Sequence, residues 1–196
     1  MKTRLVLLML AAALVAGCKD APAPSGAASS STAAPAGSTP VSLDTIAAQA
    51  QGFNAGQAMS ARVVYVFFDP QCPHCAALWQ AAKPLKAQAR FVWIPVSLLN
   101  AKSTTQGATL LAAPDPVTAM DGHEVALREG RGGIAEGTGL DSQTAAVKLN
   151  TELFNSFGFA SVPTIVTKNA QTGEVVKREG ALQTPALAQL LGLSGS

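Results

Sequence analysis

Two hydrophobic runs of strand length frame a helical pattern in the first half of the chain. Residues 61–68 (ARVVYVFF) are mostly β-branched and aromatic, and this continuous run predicts a strand buried on both faces. Pro73 then occupies a first helical position, and good helix formers follow it up to Pro84, which should bend the helix. A second strand is predicted at 90–99 (RFVWIPVSLL). This order predicts a βαβ unit, in which a right-handed crossover joins two parallel strands.

The segment 97–162 has helical signals throughout. Asp115-Pro116 is typical of an N-cap followed by proline in the first turn. A sparse apolar stripe follows it at Val117, Met120 and Leu127. After a glycine-rich loop (GRGGIAEGTG), which is expected to be flexible, Asp141 or Ser142 should cap a further helix. Its apolar positions recur every four residues, at Ala145, Leu149, Leu153 and Phe157.

Two strands and a short helix are predicted for the C-terminal part. The strands lie around a polar turn with Gly173 (PTIVTKNAQTGEVVKREG), and Thr184-Pro185 opens the helix. A short amphipathic helix (SLDTIAAQAQG), ended by Gly52, precedes the first strand. The order β-α-β, helical segment, β-β-α resembles the thioredoxin arrangement with extra helices between its halves. We therefore expect a single α/β domain with a thioredoxin-like fold over 41–196, with a helical insertion at about 97–162.

The N-terminal residues are typical of an export signal. Lys2 and Arg4 precede an apolar run of twelve residues, which is too short to span a bilayer and suits a signal peptide at 1–17. The sequence LVAGC resembles a bacterial lipobox, which implies cleavage before Cys18 and lipidation of its thiol. The alternative is an ordinary secreted protein in which Cys18 is a spare thiol. Lys19 resembles the sorting residue of outer-membrane lipoproteins.

A low-complexity segment separates this region from the predicted domain. Residues 21–40 contain only Ala, Pro, Ser, Gly and Thr, which cannot bury enough apolar surface to offset the entropy lost on ordering. We expect 18–40 to be a lipidated N-terminus and disordered tether. Without the two basic residues of the signal, 12 basic and 12 acidic residues remain. A neutral chain without basic clusters argues against nucleic acid as a partner.

Cys72 and Cys75 are the candidate functional residues of the domain. A zinc site needs four ligands, and only His74 and His123 are available to join the pair, so a metal site is not expected. Covalent haem attachment is excluded because Ala76 stands where the histidine would be. A structural disulfide closing so small a loop would stabilise little. The remaining interpretation is a redox dithiol that needs no cofactor.

The predicted position of Cys72 favours its thiolate. At the N-cap of the helix opened by Pro73, a cysteine faces unpaired N–H groups and the positive end of the helix dipole. His74 favours the thiolate further, and thiol pKa values in such settings fall to about 3.5–7.5. Such a thiolate is a good leaving group, so its disulfide is comparatively easy to reduce. Cys75, one turn inward, would be buried and act as the resolving thiol.

The motif block resembles a known family. The sequence YVFFDPQCPHCAALWQAAKPL is similar to the catalytic domain of the periplasmic thiol:disulfide interchange proteins DsbG and DsbC, through Asp69-Pro70, Trp79 and Pro84. By the same resemblance, SVPT matches the loop that carries the family's cis-proline, which implies a cis bond between Val162 and Pro163. In the family this loop faces the cysteines and pairs with the substrate backbone as an added strand.

The sequence departs from this family in two respects. Only about twenty residues, 41–60, precede the first strand, so the family's dimerisation domain is expected to be missing and the protein to be a monomer. Pro73-His74 and Val162 instead resemble the more oxidising relative DsbA. Thioredoxin and DsbA carry an acidic residue six positions before the first cysteine, where this chain has Val66.

Four further side chains receive structural interpretations. Asp69 is expected to cap the turn rather than to transfer protons. His123 is expected to be a solvent-facing helix residue. Trp79 and Trp93 are expected to pack in the core or in a groove.

The sequence thus predicts a lipid-anchored thiol:disulfide oxidoreductase of oxidase or interchange type facing the periplasm, on the outer rather than the inner membrane. Its substrates would be cysteine-containing envelope proteins, and an inner-membrane redox partner would restore it. Catalysis is assigned to Cys72, Cys75, His74 and Pro73, and substrate binding to Val162 and Pro163. The alternatives are a reductase that keeps particular envelope cysteines reduced, and a non-enzymatic module that holds copper(I) between the two thiols.

Overall fold

The computed structural model describes residues 39–193. The expected signal peptide, the lipidation site at Cys18 and almost all of the expected tether lie outside these residues. Six helices and five strands occur within the described residues. In chain order they are α1 (Leu43–Gln49), β1 (Phe53–Gly56), β2 (Val63–Phe68), α2 (Pro73–Ala82), β3 (Arg90–Pro95), α3 (Ala101–Ala112), α4 (Pro116–Arg128), α5 (Asp141–Ser156), β4 (Thr164–Lys168), β5 (Val175–Glu179) and α6 (Thr184–Leu191).

The strands form one mixed sheet in the order β1-β3-β2-β4-β5. β2 and β3 are parallel, with Val63 opposite Arg90, which confirms the predicted parallel pair. The other three pairs of neighbouring strands are antiparallel. α2 ends at Ala82, where a 3-10 turn containing Pro84 follows, so the proline interrupts the helix as expected. Three helices, α3 to α5, lie between β3 and β4.

The sheet has a hydrophobic core on each face. Val66 and Phe68 of β2 belong to one core, together with α2 and α6. Phe67, between them, belongs to the other core, together with α1 and α5. Because successive residues of a strand point to opposite faces, β2 is buried on both sides, as its continuous apolar run predicted. Trp79 and Trp93 are fully buried with ring centroids 4.9 Å apart, which confirms their packing role.

β1 is not predicted by the sequence pattern. This strand has only four residues, of which Phe53 and Ala55 are buried, and so few apolar positions give a weak period-two signal. Gly56 ends it with a φ of 103°, where a Cβ atom would lie 2.6 Å from the carbonyl oxygen of Ala89. The position therefore requires glycine for both its backbone conformation and its space.

The predicted buried face of α5 was partly wrong. Leu149 is 54% exposed and Ala145 is exposed, whereas Leu153 and Phe157 are buried as expected. Positions four residues apart drift by about 40° around a helix with 3.6 residues per turn, so a strict four-residue repeat leaves the buried face. The buried positions within the helix are Ala146, Val147, Asn150, Leu153 and Phe154.

Two predicted helix boundaries also differ. The N-cap of α5 is Leu140, with no side-chain capping bond, rather than Asp141 or Ser142. Asp141 instead lies in the first turn, where its negative charge interacts favourably with the helix dipole and stabilises the helix. α1 ends at Gln49 rather than at Gly52. No helix within residues 39–193 is long and apolar enough to cross a bilayer.

Asn150 connects α5 to the segment that leads into β1. It is fully buried, and its Nδ2 donates to the carbonyl oxygens of Gln51 and Pro95 at 2.8 and 3.0 Å. Its Oδ1 accepts from the peptide N–H of Gln51 at 2.9 Å. This one amide thereby fixes the entry to the edge strand that the sequence pattern did not reveal.

We expect Asn150→Ala to lower the free energy of unfolding by about 3 kcal/mol, because it removes three hydrogen bonds to backbone groups, one of them buried and two partly buried. Urea denaturation of the reduced protein measures the effect. The control is Asn155→Ala on the exposed side of the same helix, which should cost no more than about 0.5 kcal/mol. Equal losses in the two variants would contradict the assigned role of Asn150.

Candidate active site

Cys72 is the N-cap of α2, with Pro73 at the first helical position. Its backbone is extended, with φ −93° and ψ 115°, and its side chain is 5% exposed. Cys75 lies in the first turn of the helix and is 1% exposed. Both thiols are free in this structure. The predicted arrangement of an outer and an inner cysteine is therefore present.

The two thiols have opposite acidities. The pKa of Cys72 is lowered from 9.0 to about 6, first because the Cys75 thiol donates a hydrogen bond to it. Burial opposes this shift, and the peptide N–H groups of Cys75 and His74 and the charge of His74 add to it. The pKa of Cys75 is raised, mainly by burial. Near neutral pH the pair is thus a Cys72 thiolate beside a protonated Cys75.

The loop before β4 lies against Cys72. The Sγ atom of Cys72 is 3.7 Å from the carbonyl oxygen of Val162. The bond between Val162 and Pro163 is cis, as the family resemblance implied. The predicted residues Cys72, Cys75, Val162 and Pro163 therefore meet at one place, whereas the side chains of Pro73 and His74 are exposed beside it.

Asp69 holds the turn that presents Cys72. It is fully buried, and its Oδ1 accepts from the Gln71 N–H and the Ser103 hydroxyl, both at 2.8 Å. Its Oδ2 accepts from the N–H groups of Leu98 and Leu99 at 2.8 and 3.0 Å. Asp69 caps the turn as expected, and it also binds the turn to the loop after β3.

His123 is not a solvent-facing residue, and that prediction was wrong. The ring is fully buried, with Nε2 2.7 Å from the carbonyl oxygen of Pro70 and Nδ1 accepting from the Ile134 N–H at 3.0 Å. Burial lowers the pKa of His123. The glycine-rich loop after α4 makes this possible, because a Cβ atom on Gly133 would lie 2.7 Å from the ring.

Two glutamines missed by the sequence analysis extend this contact. Gln71, directly before Cys72, donates to the side-chain oxygen of Gln106. Gln106 in turn donates to the carbonyl oxygens of Gly132 and Ile134 at 2.8 and 2.9 Å. The active-site turn, α3 and the loop after α4 thus form one hydrogen-bonded unit. A polar residue gives no periodic signal, so the pattern of the sequence could not reveal this contact.

Glu124 of α4 is the other missed residue. It is 1% exposed, its Oε2 has no hydrogen-bond partner within residues 39–193, and burial raises its pKa to about 7. A signal was present, because Glu124 falls in register with the apolar stripe formed by Val117, Met120 and Leu127. Within residues 39–193, no group of three or more His, Cys, Asp or Glu side chains is placed to hold a metal ion.

The hydrogen bond from Cys75 should control the acidity of Cys72. Because the folded protein favours the thiolate, alkylation of Cys72 should rise with pH, reach half of its maximum at a pH of about 6, and level off above that. Cys75→Ala removes the largest cause of the shift, so the midpoint should rise by about one to two pH units. The measurement is the rate of alkylation by iodoacetamide against pH.

The matched control is Cys75→Ser, whose hydroxyl still donates a hydrogen bond. It should keep most of the lowered midpoint. If the alanine and serine variants titrate alike, the thiol–thiolate hydrogen bond is not the cause.

Known proteins are similar to this chain in sequence or in fold. The chain is 37% identical over 145 residues to the thiol:disulfide interchange protein DsbG of Pseudomonas aeruginosa, covering 70% of this chain and 54% of that protein. The chain thus spans about half the length of this curated relative. The catalytic domain of Proteus mirabilis ScsC superposes with a TM-score of 0.58 at 16% identity, covering 76% of this chain and 96% of that one.

A periplasmic thioredoxin-like protein from Salmonella enterica serovar Typhimurium gives a TM-score of 0.60 at 14% identity, covering 79% of this chain and 97% of that one. These two structures show the fold, which agrees with the thioredoxin-like fold expected from the order of elements. The model of the thioredoxin-like domain family matches residues 52–194, well over half of the sequence. The chain therefore belongs to the thioredoxin-like domain family.

Proposed function

We propose that this chain is a thiol:disulfide oxidoreductase that exchanges disulfides with cysteine-containing proteins through Cys72 and Cys75. The observation that carries the proposal is the thiol pair itself. A Cys72 thiol with a pKa of about 6 lies at a helix N-terminus and accepts a hydrogen bond from a buried, protonated Cys75. The similarity to DsbG supports the same chemistry.

The reaction starts from the oxidised pair. A substrate thiolate attacks Cys72, which forms a mixed disulfide and releases Cys75 as a thiolate that takes up a proton. A second substrate thiolate then attacks the substrate sulfur of the mixed disulfide, and Cys72 leaves as a thiolate. The substrate has lost two electrons and gained a disulfide, and the Cys72–Cys75 pair has gained the two electrons. Alternatively, Cys75 attacks Cys72 and releases the substrate unchanged.

Two features support exchange with protein chains, and the first of them also favours the oxidising direction. The low pKa of Cys72 makes it a good leaving group and stabilises the reduced form, so the disulfide is readily reduced by substrates. The Val162–Pro163 loop borders Cys72, so an extended substrate segment can pair with it as an added strand. We assign Val162 and Pro163 to substrate binding, with Pro73 and His74 completing the catalytic motif.

The N-terminal sequence supports a proposal for the cellular setting. We place the protein in the cell envelope, facing the periplasm, as a monomer attached to the membrane through a lipid on Cys18. The outer membrane is favoured by Lys19. Cysteine-containing envelope proteins would be the substrates, and an inner-membrane redox partner would reoxidise the pair. Metabolic labelling of the expressed chain with a fatty acid, compared in Cys18→Ala, tests the anchor.

The protein should form mixed disulfides with its substrates. In Cys75→Ala the resolving thiol is absent, so Cys72-linked adducts should accumulate in envelope extracts and disappear on reduction. They are measured on non-reducing gels and identified by mass spectrometry. The matched control lacks both cysteines, as Cys72→Ala with Cys75→Ala, and should give no adducts. An absence of adducts in the single variant would overturn the proposed function.

The equilibrium with glutathione should identify the direction of electron flow. We expect a reduction potential of about −120 to −180 mV, the range of oxidases and isomerases. A value of about −270 mV would contradict the oxidising role and indicate a reductase. The fraction of oxidised protein at each glutathione ratio is read by mass after alkylation.

A further inference from the structure

Glu124 lines a pocket that also borders the turn carrying Cys72. The pocket has a volume of about 420 Å³ and is lined by Glu124 and Leu127 of α4, and by Gln71 and Pro73, the two sequence neighbours of Cys72. Glu124 is 1% exposed, and its Oε2 has no hydrogen-bond partner among the described residues. A buried carboxylate oxygen without a donor is costly, so this site favours the protonated acid.

The charged groups around Glu124 come from two parts of the fold. Cys72, at the start of α2, and Asp121, one turn earlier on α4, both disfavour a negative charge on Glu124. Arg128 of α4 and Lys83, which follows α2, favour it. Lys83 is bound to Asp121 at 2.7 Å, which leaves Arg128 as the main favourable charge. Of these groups, only Cys72 changes charge when the pair is oxidised or reduced.

We propose that Glu124 stores a proton for the redox pair, binding it when the disulfide is reduced and losing it when the disulfide forms. The proposal rests on the proposed function. It names a binding site for the second of the two protons that the substrate dithiol releases. A substrate dithiol that reduces the disulfide gives up two electrons and two protons. Cys75 takes one proton, and Cys72 remains a thiolate. Near neutral pH the second proton goes to Glu124 in a fraction of the molecules, where it neutralises the carboxylate, and to solvent in the others.

This role makes Glu124 a positioning residue that acts through Cys72 and does not touch the substrate. Glu124 lines the same pocket as the exposed Pro73, so protons can reach it from solvent without unfolding. Burial disfavours the carboxylate in both redox forms, while the Cys72 thiolate disfavours it only in the reduced form. The proton affinity of Glu124 therefore differs between the reduced and the disulfide form because of the charge on Cys72.

Carbon NMR of the Glu124 carboxyl tests the proposal directly. In the reduced protein the titration midpoint should be near 7. In the disulfide form it should fall by roughly one pH unit, because the neighbouring negative charge is gone. The reduced Cys72→Ser variant, which has no thiolate, should titrate like the disulfide form. Glu124→Gln identifies the resonance.

A second measurement counts protons. The pH dependence of the glutathione equilibrium gives the protons bound per disulfide reduced. Near neutral pH the wild-type protein should bind more than one, and Glu124→Gln should bind about one because only Cys75 then takes a proton. The matched control is Glu129→Gln, an exposed glutamate at the end of the same helix, which should behave as the wild type.

Identical midpoints for Glu124 in the dithiol and disulfide forms would overturn the proposal. So would equal proton counts in the wild type and Glu124→Gln. These outcomes leave the exchange reaction intact, so they are distinct from failure of the proposed function. In the converse case, without any exchange activity, the comparison of wild type with Cys72→Ser still decides whether Glu124 responds to the thiolate.

Discussion

The site depends on one buried carboxylate, that of Asp69. Its two oxygens accept four hydrogen bonds, three from peptide N–H groups and one from the Ser103 hydroxyl. Hydrogen bonds to an ionised acceptor are roughly twice as strong as neutral ones, and together they offset the cost of burying the charge. They fix the end of β2, the turn before Cys72 and the loop after β3 in one geometry. The thiol chemistry therefore rests on a rigid corner rather than on a mobile loop.

The helices between β3 and β4 contribute to this corner as much as the sheet does. His123 contacts the carbonyl of Pro70, and Gln106 is hydrogen-bonded to Gln71, so α3 and α4 both reach the turn. Glu124 of α4 adds a buried ionisable group, whereas position 66 of β2 is a valine. The buried acid of this fold therefore lies on α4, one of the three helices between β3 and β4, and not on a strand of the sheet.

The sequence predicted those parts of the fold that depend on apolar pattern and local chemistry. The β2-α2-β3 unit, the N-cap position of Cys72 and the interruption at Pro84 follow from runs, proline and helix propensity within a few residues. The short β1, the burial of His123 and the Gln71–Gln106 contact were missed. Each of these depends on residues distant in sequence whose polar groups pair only after folding.

In the loop after β3, the backbone binds Asp69 and the side chains are partly exposed to solvent. Leu98 and Leu99 are held by Asp69 only through their peptide N–H groups, while their side chains are 40% and 53% exposed. Any residue other than proline can supply those N–H groups. The side chains next to the active-site corner are therefore free to change in evolution without loosening it. Substitutions at these two positions can therefore change the exposed apolar surface next to the turn while the hydrogen bonds to Asp69 are preserved.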